Sequence, residues 1–229
     1  MNIRIESLIA GAERAVGTVV IIDVFRAFTT AAVALANGAT KIIMVRDVEE
    51  ALALRAAGIG QLCMGEVGGH APPGFDFGNS PFEVSQADLL GQTILQRTSA
   101  GTQGIVAAKR ATRLYAGSLV TAKATARAVL RQLPAEVTLV AMGLDGARRS
   151  DEDELCAIHL RNLLQGRPGS PSGTRDVILA GPQIPAFHDP AKPHLHPADL
   201  DIALDIDRYD FAVLIDLEDG RLVARKQRD

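Results

Sequence analysis

Blocks of apolar residues alternate with amphipathic segments along the first 65 positions, a pattern that predicts strands and helices in turn. Residues 18–24 are β-branched and apolar almost throughout, which is typical of a strand buried on both faces. Residues 27–37 favour a helix, and Gly38 stands where a left-handed C-terminal cap belongs. The alternation continues with a strand at 41–45, a helix at 48–57 and a strand at 61–65.

The same alternation returns after a loop rich in Gly and Pro at 66–81. The predicted elements are strands at 93–98, 113–115 and 137–142, helices at 102–110, 121–133 and 151–164, and a terminal β-hairpin from 211–215 and 222–224. Strands that alternate with helices through short links form right-handed crossovers, and the helices then cover the sheet. The sequence therefore predicts an α/β fold.

A faint internal repeat accompanies this pattern. The segment GATKI at 38–42 lies 72 positions before RATRL at 110–114, and both open a predicted strand. The two halves would span about 18–90 and 91–165 and form related lobes whose polar turns meet at one cleft. Chance similarity between two α/β units is the alternative.

Residues 166–198 break the pattern. They hold seven of the 11 prolines and three of the five histidines, namely His188, His194 and His196. We expect a Pro-rich insertion here, a surface flap that tunes substrate choice without carrying chemistry. With this insertion included, we interpret residues 1–229 as a single domain.

Composition narrows the class of protein. With 229 residues, 47% of them apolar and 22% charged, the chain has the balance of a globular protein rather than a disordered one. A net charge of −3, the absence of Trp and 4% aromatic residues argue against a dedicated nucleic-acid binder. No apolar run reaches the roughly 20 residues that span a bilayer, and the N-terminus lacks a signal-peptide pattern. Because two cysteines form no disulfide framework, we expect a cytoplasmic protein with no membrane or nucleic-acid partner.

Polar residues follow several of the predicted strands, at the positions where ligands bind in open α/β sheets. Asp23 ends the first strand and is followed by Arg26 and Thr29, while Glu66 follows the third strand. Carboxylates, a hydroxyl and an arginine at one sheet edge can bind a metal and an oxyanion together. Each also has an ordinary interpretation: Asp23 as a helix cap, Arg26 as a surface ion-pair partner and Glu66 as part of a solvated turn.

The turn Ser99–Gly104 follows another predicted strand and resembles a phosphate cradle. Gly101 and Gly104 let backbone N–H groups approach an anion, and a helix that starts at Thr102 favours negative charge. The GxxxxGK[ST] spacing of a Walker A loop is missing. The turn by itself is weak support for an anion site.

The segment GFDFGNSP at 74–81 contains a helix start and two further polar residues. Ser80 and Pro81 are typical of an N-terminal cap followed by the first helical residue. That explanation leaves Asp76 and Asn79, which stand among the glycines, without a structural reason. We therefore treat both as candidates for positioning a substrate or a metal-bound water.

Charge is distributed unevenly along the chain. Residues 97–135 hold seven Lys or Arg and no acid, whereas residues 45–90 hold seven acids and two Arg. A basic segment and an acidic segment are what a site with a metal and an anionic substrate would need. The alternative is that most of these charged side chains lie on solvated helix faces. The acids at 152–154 begin a predicted helix, where the helix dipole favours them; a metal-ligand role for Asp153 is the other interpretation.

Five segments of the chain combine into one recognisable pattern. They are VVIIDVFRAFTTAA at 19–32, GE at 65–66, GFDFGNSPFE at 74–83, TSAGTQG at 98–104 and SDEDELCA at 150–157. Together they resemble the 2-phosphosulfolactate phosphatase (ComB-like) family. The resemblance extends from about Val19 to Ile215 and is weakest in the Pro-rich insertion and at both ends. It implies a three-layer α/β/α fold specific to that family.

The resemblance also implies a Mg²⁺-dependent acid phosphatase that converts 2-phosphosulfolactate to sulfolactate and phosphate in coenzyme M biosynthesis. In this interpretation Asp23, Glu66 and Asp153 hold Mg²⁺. The expected catalytic residues are Asp23, Arg26, Asp76 and Asn79. The expected substrate ligands are Arg26, Thr29, Ser99, Gly101, Thr102 and Gly104.

Two other classes of function stay open at this stage. A non-catalytic module would bind an anion or a nucleotide in the same cleft without turnover, and a structural interaction protein would need a large exposed apolar patch. A homodimer is compatible with all three classes. Phosphate release that needs Mg²⁺ and is lost with a chelator separates the enzyme from the binding module.

Overall fold

Nine strands lie in one mixed sheet within residues 1–167 and 169–228, the part of the chain that the computed structural model describes. The strands are β1 (Asn2–Ser7), β2 (Gly17–Ile22), β3 (Lys41–Met44), β4 (Leu62–Gly65), β5 (Thr93–Arg97), β6 (Ala111–Gly117), β7 (Glu136–Ala141), β8 (Ala212–Glu218) and β9 (Arg221–Gln227). The helices are α1 (Leu8–Arg14), α2 (Ala27–Ala36), α3 (Val48–Ala56), α4 (Pro81–Ser85), α5 (Gly101–Ala107), α6 (Ala122–Arg131), α7 (Asp151–Leu164), α8 (Pro171–Leu179) and α9 (Pro197–Ala203). The predicted α/β class is confirmed.

Two parallel groups of strands make up the sheet. Its order is β1-β7-β2-β6-β8-β9-β3-β5-β4. The strands β1, β7, β2 and β6 run parallel to one another, and so do β3, β5 and β4. The antiparallel hairpin β8–β9 joins the two groups, because β8 pairs with β6 and β9 pairs with β3. The predicted terminal hairpin therefore lies in the middle of the sheet.

The sheet curls around helix α2. Alternate residues of β2 face opposite ways: Val19 and Ile21 pack in one core with α2, whereas Val20 and Ile22 pack in another with α6 and α7. Because Ile42 of β3 belongs to the same core as Val19 and the buried residues of α2, both parallel groups pack against α2. Nine of the ten residues of α2 are buried, since the sequence AFTTAAVALA offers almost no polar face.

The topology of the two predicted halves shows an exchange of strands. Within 18–90 the order of elements is β2, α2, β3, α3 and β4, followed by helix α4. Within 91–165 the order is β5, α5, β6, α6 and β7, followed by helix α7. Strand β2 pairs with β6 and β7, and β5 pairs with β3 and β4. The halves therefore share one sheet instead of forming separate lobes. The repeat in the sequence stays a prediction.

The N-terminal residues form β1 and α1, which the apolar pattern did not predict. Arg4 and Glu6 interrupt that pattern. Strand β1 tolerates them because it lies at the edge of the sheet beside β7, where side chains reach solvent. Strand β6 is also longer than the predicted 113–115, since it covers Ala111–Gly117.

The Pro-rich insertion contains short helices. It holds α8, a 3₁₀ turn at Ile184–His188 and the start of α9. Each of these three begins with a proline in its first two positions, where the missing N–H costs nothing. Three of the seven prolines, Pro171, Pro185 and Pro197, thus begin short helices. Pro168 lies outside the described residues.

Two further expectations concern cysteines and membranes. Cys63 in β4 and Cys156 in α7 are both free and buried. Over residues 1–167 and 169–228, the helices are too short or too polar to cross a membrane.

Candidate active site

A cavity of about 490 Å³ opens where strands of both parallel groups end. Its walls come from the residues after β2, β4 and β5 and from the loop between β7 and α7. Asn79, in the loop before α4, and the Pro-rich insertion line the rest of the cavity. Five of the predicted site residues line it: Asp23, Arg26, Glu66, Asn79 and Ser99.

Asp23 lies after β2 with its carboxylate buried. Its Oδ1 accepts a hydrogen bond from the Ala27 N–H at 2.9 Å, so it caps the start of α2 as well as facing the cavity. A Cβ at Gly101 would stand 2.9 Å from Asp23 Oδ2, and this close approach explains the glycine. Burial raises the pKa of Asp23 to about 7, and the charges of Glu66 and Glu152 add to the shift.

Glu66 and Ser99 tie the ends of β4 and β5 together. The Glu66 carboxylate accepts hydrogen bonds from the Ser99 N–H at 2.5 Å, the Ser99 hydroxyl at 3.0 Å and the Gly69 N–H at 2.8 Å. The Ser99 amide, which the sequence suggested as a phosphate ligand, is therefore already bound to Glu66. Through these hydrogen bonds the Glu66 carboxylate is held in a fixed position beside the cavity.

Asp153 is buried at the start of α7 and binds two loops. Its Oδ1 accepts a hydrogen bond from the Val24 N–H at 2.7 Å, and its Oδ2 accepts one from the Gly143 N–H at 2.8 Å. Burial and the charges of Glu152 and Asp23 raise its pKa well above the usual range. Asp153 does not line the cavity, so its predicted metal contact has no support in this geometry.

Arg26 is paired with a residue that the sequence reasoning missed. Its Nη1 donates hydrogen bonds to Asp199 Oδ2 and to the His194 carbonyl, both at 2.7 Å. Arg26 and Asp199 are 5% and 0% exposed, so this ion pair is buried and not at the surface as the alternative interpretation had it. No motif marks Asp199, which lies 173 positions along the chain in α9.

Asn79 lines the cavity and has a side-chain oxygen, Oδ1, that is buried and without a hydrogen-bond partner within the described chain. Its backbone carbonyl accepts a hydrogen bond from Thr30 Oγ1 at 3.3 Å, which fixes the residue beside α2. Because buried polar atoms are normally hydrogen-bonded, this oxygen is suited to a ligand, a water or a cation.

Thr29 and Asp76 bond within the fold rather than in the cavity. Thr29 is fully buried and donates a hydrogen bond to the Val24 carbonyl at 2.8 Å. Asp76 accepts a hydrogen bond from the Cys63 N–H at 2.7 Å and pairs with Arg55 at 3.0 Å. Neither lines the cavity, so the catalytic role predicted for Asp76 and the phosphate contact predicted for Thr29 lack geometric support.

The Ser99–Gly104 turn is organised by packing. Thr102 Oγ1 accepts a hydrogen bond from the Thr98 N–H at 2.8 Å and donates one to the Thr98 carbonyl at 3.0 Å. A Cβ at Gly104 would lie 2.5 Å from Met142 Sδ. Glycine is therefore needed here for the approach of α5 to the sheet, a reason that involves no phosphate.

The positive charge of the cavity comes from residues outside the basic segment 97–135. Arg148 and Arg149, in the loop before α7, line the cavity, as does Lys192 of the Pro-rich insertion. Arg149 lies 3.5 Å from Glu154. The inference from 97–135 was wrong about the source of the charge, because the fold brings none of its seven basic residues to the described wall.

The oxygen donors in the cavity suit a hard divalent cation. Among the described residues, no three His, Cys, Asp or Glu side chains lie close enough to hold a metal by themselves. Three residues with oxygen donors line the cavity: Asp23, Glu66 and Asn79, whose buried Oδ1 has no partner among the described residues. Mg²⁺ takes one or two carboxylates and keeps several waters, so this smaller set fits it.

Comparison with known proteins places the chain in a family. Residues 4–181 match the family model described as 2-phosphosulpholactate phosphatase. The chain belongs to this family. The resemblance drawn from the five sequence segments is thereby confirmed, and the match ends before Lys192 and Asp199.

Relatives in several bacteria carry the same description, "Probable 2-phosphosulfolactate phosphatase". The chain is 44% identical to the protein of Carboxydothermus hydrogenoformans over 146 residues, 64% of this chain and 60% of the relative. It is 41% identical to that of Deinococcus radiodurans over 130 residues, 55% of this chain and 53% of the relative. The chain thus spans between half and two thirds of the length of these relatives.

Proposed function

We propose that the chain is a Mg²⁺-dependent phosphatase that hydrolyses the phosphomonoester of a small acidic molecule. The observation that carries this proposal is the cavity wall on which Asp23, Glu66 and Arg26 lie together. The names of the family and of its members support 2-phosphosulfolactate as substrate, with sulfolactate and phosphate as products. A place in coenzyme M biosynthesis is part of the same proposal.

Arg26 is the proposed phosphate ligand. Its guanidinium is planar and presents parallel N–H groups, so it can bind two phosphoryl oxygens at once. Because Arg26 is buried beside the cavity, its charge acts with little screening by water. Lys192 and Arg148 add positive charge to the same walls, which attracts an acidic substrate and raises its local concentration.

Asp23, Glu66 and Asn79 Oδ1 are the residues we propose for holding Mg²⁺. When bound, the cation neutralises the phosphoryl oxygens and lowers the pKa of a coordinated water. The backbone hydrogen bonds to Asp23 and Glu66 hold both carboxylates in place before any ligand arrives. Asp153 then has a positioning role, because it fixes the loops after β2 and β7.

The test is release of phosphate by the purified chain from 2-phosphosulfolactate and from a generic aryl phosphate. We expect turnover with Mg²⁺ or Mn²⁺, loss after dialysis against EDTA, and weaker recovery with Zn²⁺, because the donors are oxygens. Asp23→Asn removes a charge from the cavity, and Asp151→Asn is the matched control at an exposed position of α7.

Two outcomes would contradict the proposal. Full activity after EDTA dialysis would contradict the requirement for Mg²⁺. Tight binding of inorganic phosphate without turnover of any phosphomonoester would assign the cavity to the competing class, a non-catalytic anion- or nucleotide-binding module.

A further inference from the structure

Asp199 is a fully buried carboxylate that accepts four hydrogen bonds. Its Oδ1 accepts from Ser80 Oγ at 2.6 Å and from the Phe82 N–H at 3.0 Å. Its Oδ2 accepts from Arg26 Nη1 at 2.7 Å and from the His196 N–H at 3.3 Å. A carboxylate that accepts this many hydrogen bonds is held in a fixed position.

The four donors come from three segments, and each segment supplies a wall of the cavity. Arg26 lines the cavity itself, Ser80 follows the lining residue Asn79, and His196 follows the lining residue Leu195. Asp199 thus holds together the end of β2, the loop before α4 and the Pro-rich insertion. It lies beyond the segment that matches the family model.

The hydrogen bonds of Arg26 leave one edge of its guanidinium free. Both hydrogens of Nη1 are used, by Asp199 Oδ2 and by the His194 carbonyl. The three N–H groups on Nη2 and Nε have no partner among the described residues, and none of these atoms is a buried unpaired donor. Because Arg26 lines the cavity, this edge is available to an anion there.

We infer that Asp199 is a positioning residue that holds Arg26 so that its free edge binds the substrate phosphate. The inference rests on the proposed function, because it assigns Arg26 the phosphate. In it, Asp199 touches no substrate and acts only through the guanidinium. The Pro-rich insertion, which binds Asp199 through the His196 N–H and Arg26 through the His194 carbonyl, is then part of the phosphate site and not merely a cover over it.

The experiment measures the dissociation constant of inorganic phosphate, with Mg²⁺ present, by calorimetry. We expect Asp199→Asn to weaken phosphate binding at least tenfold, because the amide has one acceptor oxygen and its NH₂ faces donors. Ser80→Ala is the matched control: it removes another partner of Asp199 and the cap of α4 but leaves Arg26 paired. We expect it to lose thermal stability and to keep its phosphate affinity within about twofold of the wild type.

A second measurement covers the case in which Asp199→Asn does not fold. Arg26→Ala leaves a gap between Asp199 and the cavity, and guanidinium ion at millimolar concentration should fill it and restore phosphate binding at least partly. The double variant Arg26→Ala with Asp199→Glu should show no such rescue, because the longer side chain occupies the gap.

The outcomes separate the inference from the proposed function. If the wild type neither binds phosphate nor releases it from any substrate, the proposed function fails. If the wild type does both while Asp199→Asn binds phosphate as tightly as Ser80→Ala, only the inference fails. Equal guanidinium rescue in the single and double variants would also overturn it.

Discussion

At the scale of single residues, buried carboxyl groups are the feature that most clearly opposes the stability of the fold. Asp23, Glu152 and Asp153 are at most 4% exposed, and burial together with their neighbouring charges raises the pKa of each. Repulsion of this kind destabilises the fold wherever a cation is missing. Perturbed carboxyl groups beside a cavity are typical of a functional site, because a purely structural position is more stable without the charge.

The first prediction concerns Asp23→Asn. We expect turnover to fall by a factor of about 10² or more, because the amide cannot supply the charge that holds a cation or shapes the transition state. A helix cap alone would survive this change, since Asn and Asp cap helices about equally well. Phosphate release and melting temperature, measured for the same preparation, check it; near-normal turnover would return Asp23 to the role of a cap.

His159 gives a prediction for pH. It is 4% exposed in α7, and its buried Nε2 has no hydrogen-bond partner among the described residues. Burial lowers its pKa below 6.5. Because the folded state favours the neutral ring, its contribution to stability is present above pH 6.5 and is lost as the pH falls through the folded-state pKa. We expect His159→Gln to lose less stability than the wild type between pH 7.5 and pH 5.

Urea unfolding at the two pH values measures that difference. The matched control is His188→Gln, at an exposed position of the 3₁₀ turn. An equal loss of stability on acidification in the wild type and in His159→Gln would contradict the prediction.

At the scale of elements, close packing and not anion binding explains the short helix α5. Its Gly104 lies against Met142 at the end of β7 and Ile21 of β2. The main core of the molecule includes both α5 and α2. A glycine in this position lets the helix approach the sheet more closely than any side chain would allow.

We therefore expect Gly104→Ala to lower the free energy of unfolding by about 1–3 kcal/mol through overpacking. The Cβ would meet Met142 Sδ at 2.5 Å and Ile21 Cγ2 at 2.8 Å. Gly78→Ala is the control, because its Cβ would come no closer than 3.4 Å to its neighbours. Urea unfolding checks both; a phosphate affinity that collapses in folded Gly104→Ala would restore the phosphate-cradle interpretation.

The Pro-rich insertion contributes to the site mainly through its backbone and less through its histidine side chains. Arg26 is held by the carbonyl of His194, which survives a change of side chain. His196 Nδ1 accepts a hydrogen bond from the Ala198 N–H at 3.1 Å and caps α9, and its ring stacks on Phe82. These contacts stabilise the insertion without reaching the substrate.

Replacing His188, His194 and His196 together by Ala should keep turnover of an aryl phosphate within roughly tenfold, a barrier change of about 1.4 kcal/mol. The loss of the His196 cap should cost about 1 kcal/mol of stability. Phosphate release and thermal melting measure the two effects. A fall of several orders of magnitude with the fold intact by circular dichroism would instead indicate that the histidines bind a metal.

At the scale of the whole molecule, the curled sheet brings together strand ends that a flat sheet would separate. The strands β2 and β5 belong to different parallel groups, yet the residues that follow them, Asp23 and Ser99, line one cavity. A ligand in this cavity therefore contacts both groups and the insertion. Binding should stabilise the molecule as a whole, since the unfolded chain cannot form the site.

We expect Mg²⁺ at about 100 times its dissociation constant to add about 2.7 kcal/mol to the free energy of unfolding. For a chain of this length that raises the melting temperature by roughly 5–10 °C. Thermal melting with and without Mg²⁺ measures the shift, and Asp151→Asn should shift as the wild type does. A shift of the same size in Asp23→Asn would contradict the assignment of the cation to Asp23.

The sequence by itself determined most of the elements between residues 18 and 165 and the terminal hairpin, but not β1, α1, α8 or α9. It also determined which site residues are neighbours along the chain. Strand β2, helix α2 and the pair Asp23 and Arg26 between them follow from local periodicity, because strand and helix patterns and the end of a strand need only a few residues to define them. The tertiary structure decided which distant residues these side chains pair with. The pairing of Arg26 with Asp199 and the place of Lys192 in the wall depend on how α9 and the Pro-rich insertion pack against segments far away along the chain. That long-range packing leaves no periodic signal in the sequence, and it also turned Asp76 toward Arg55.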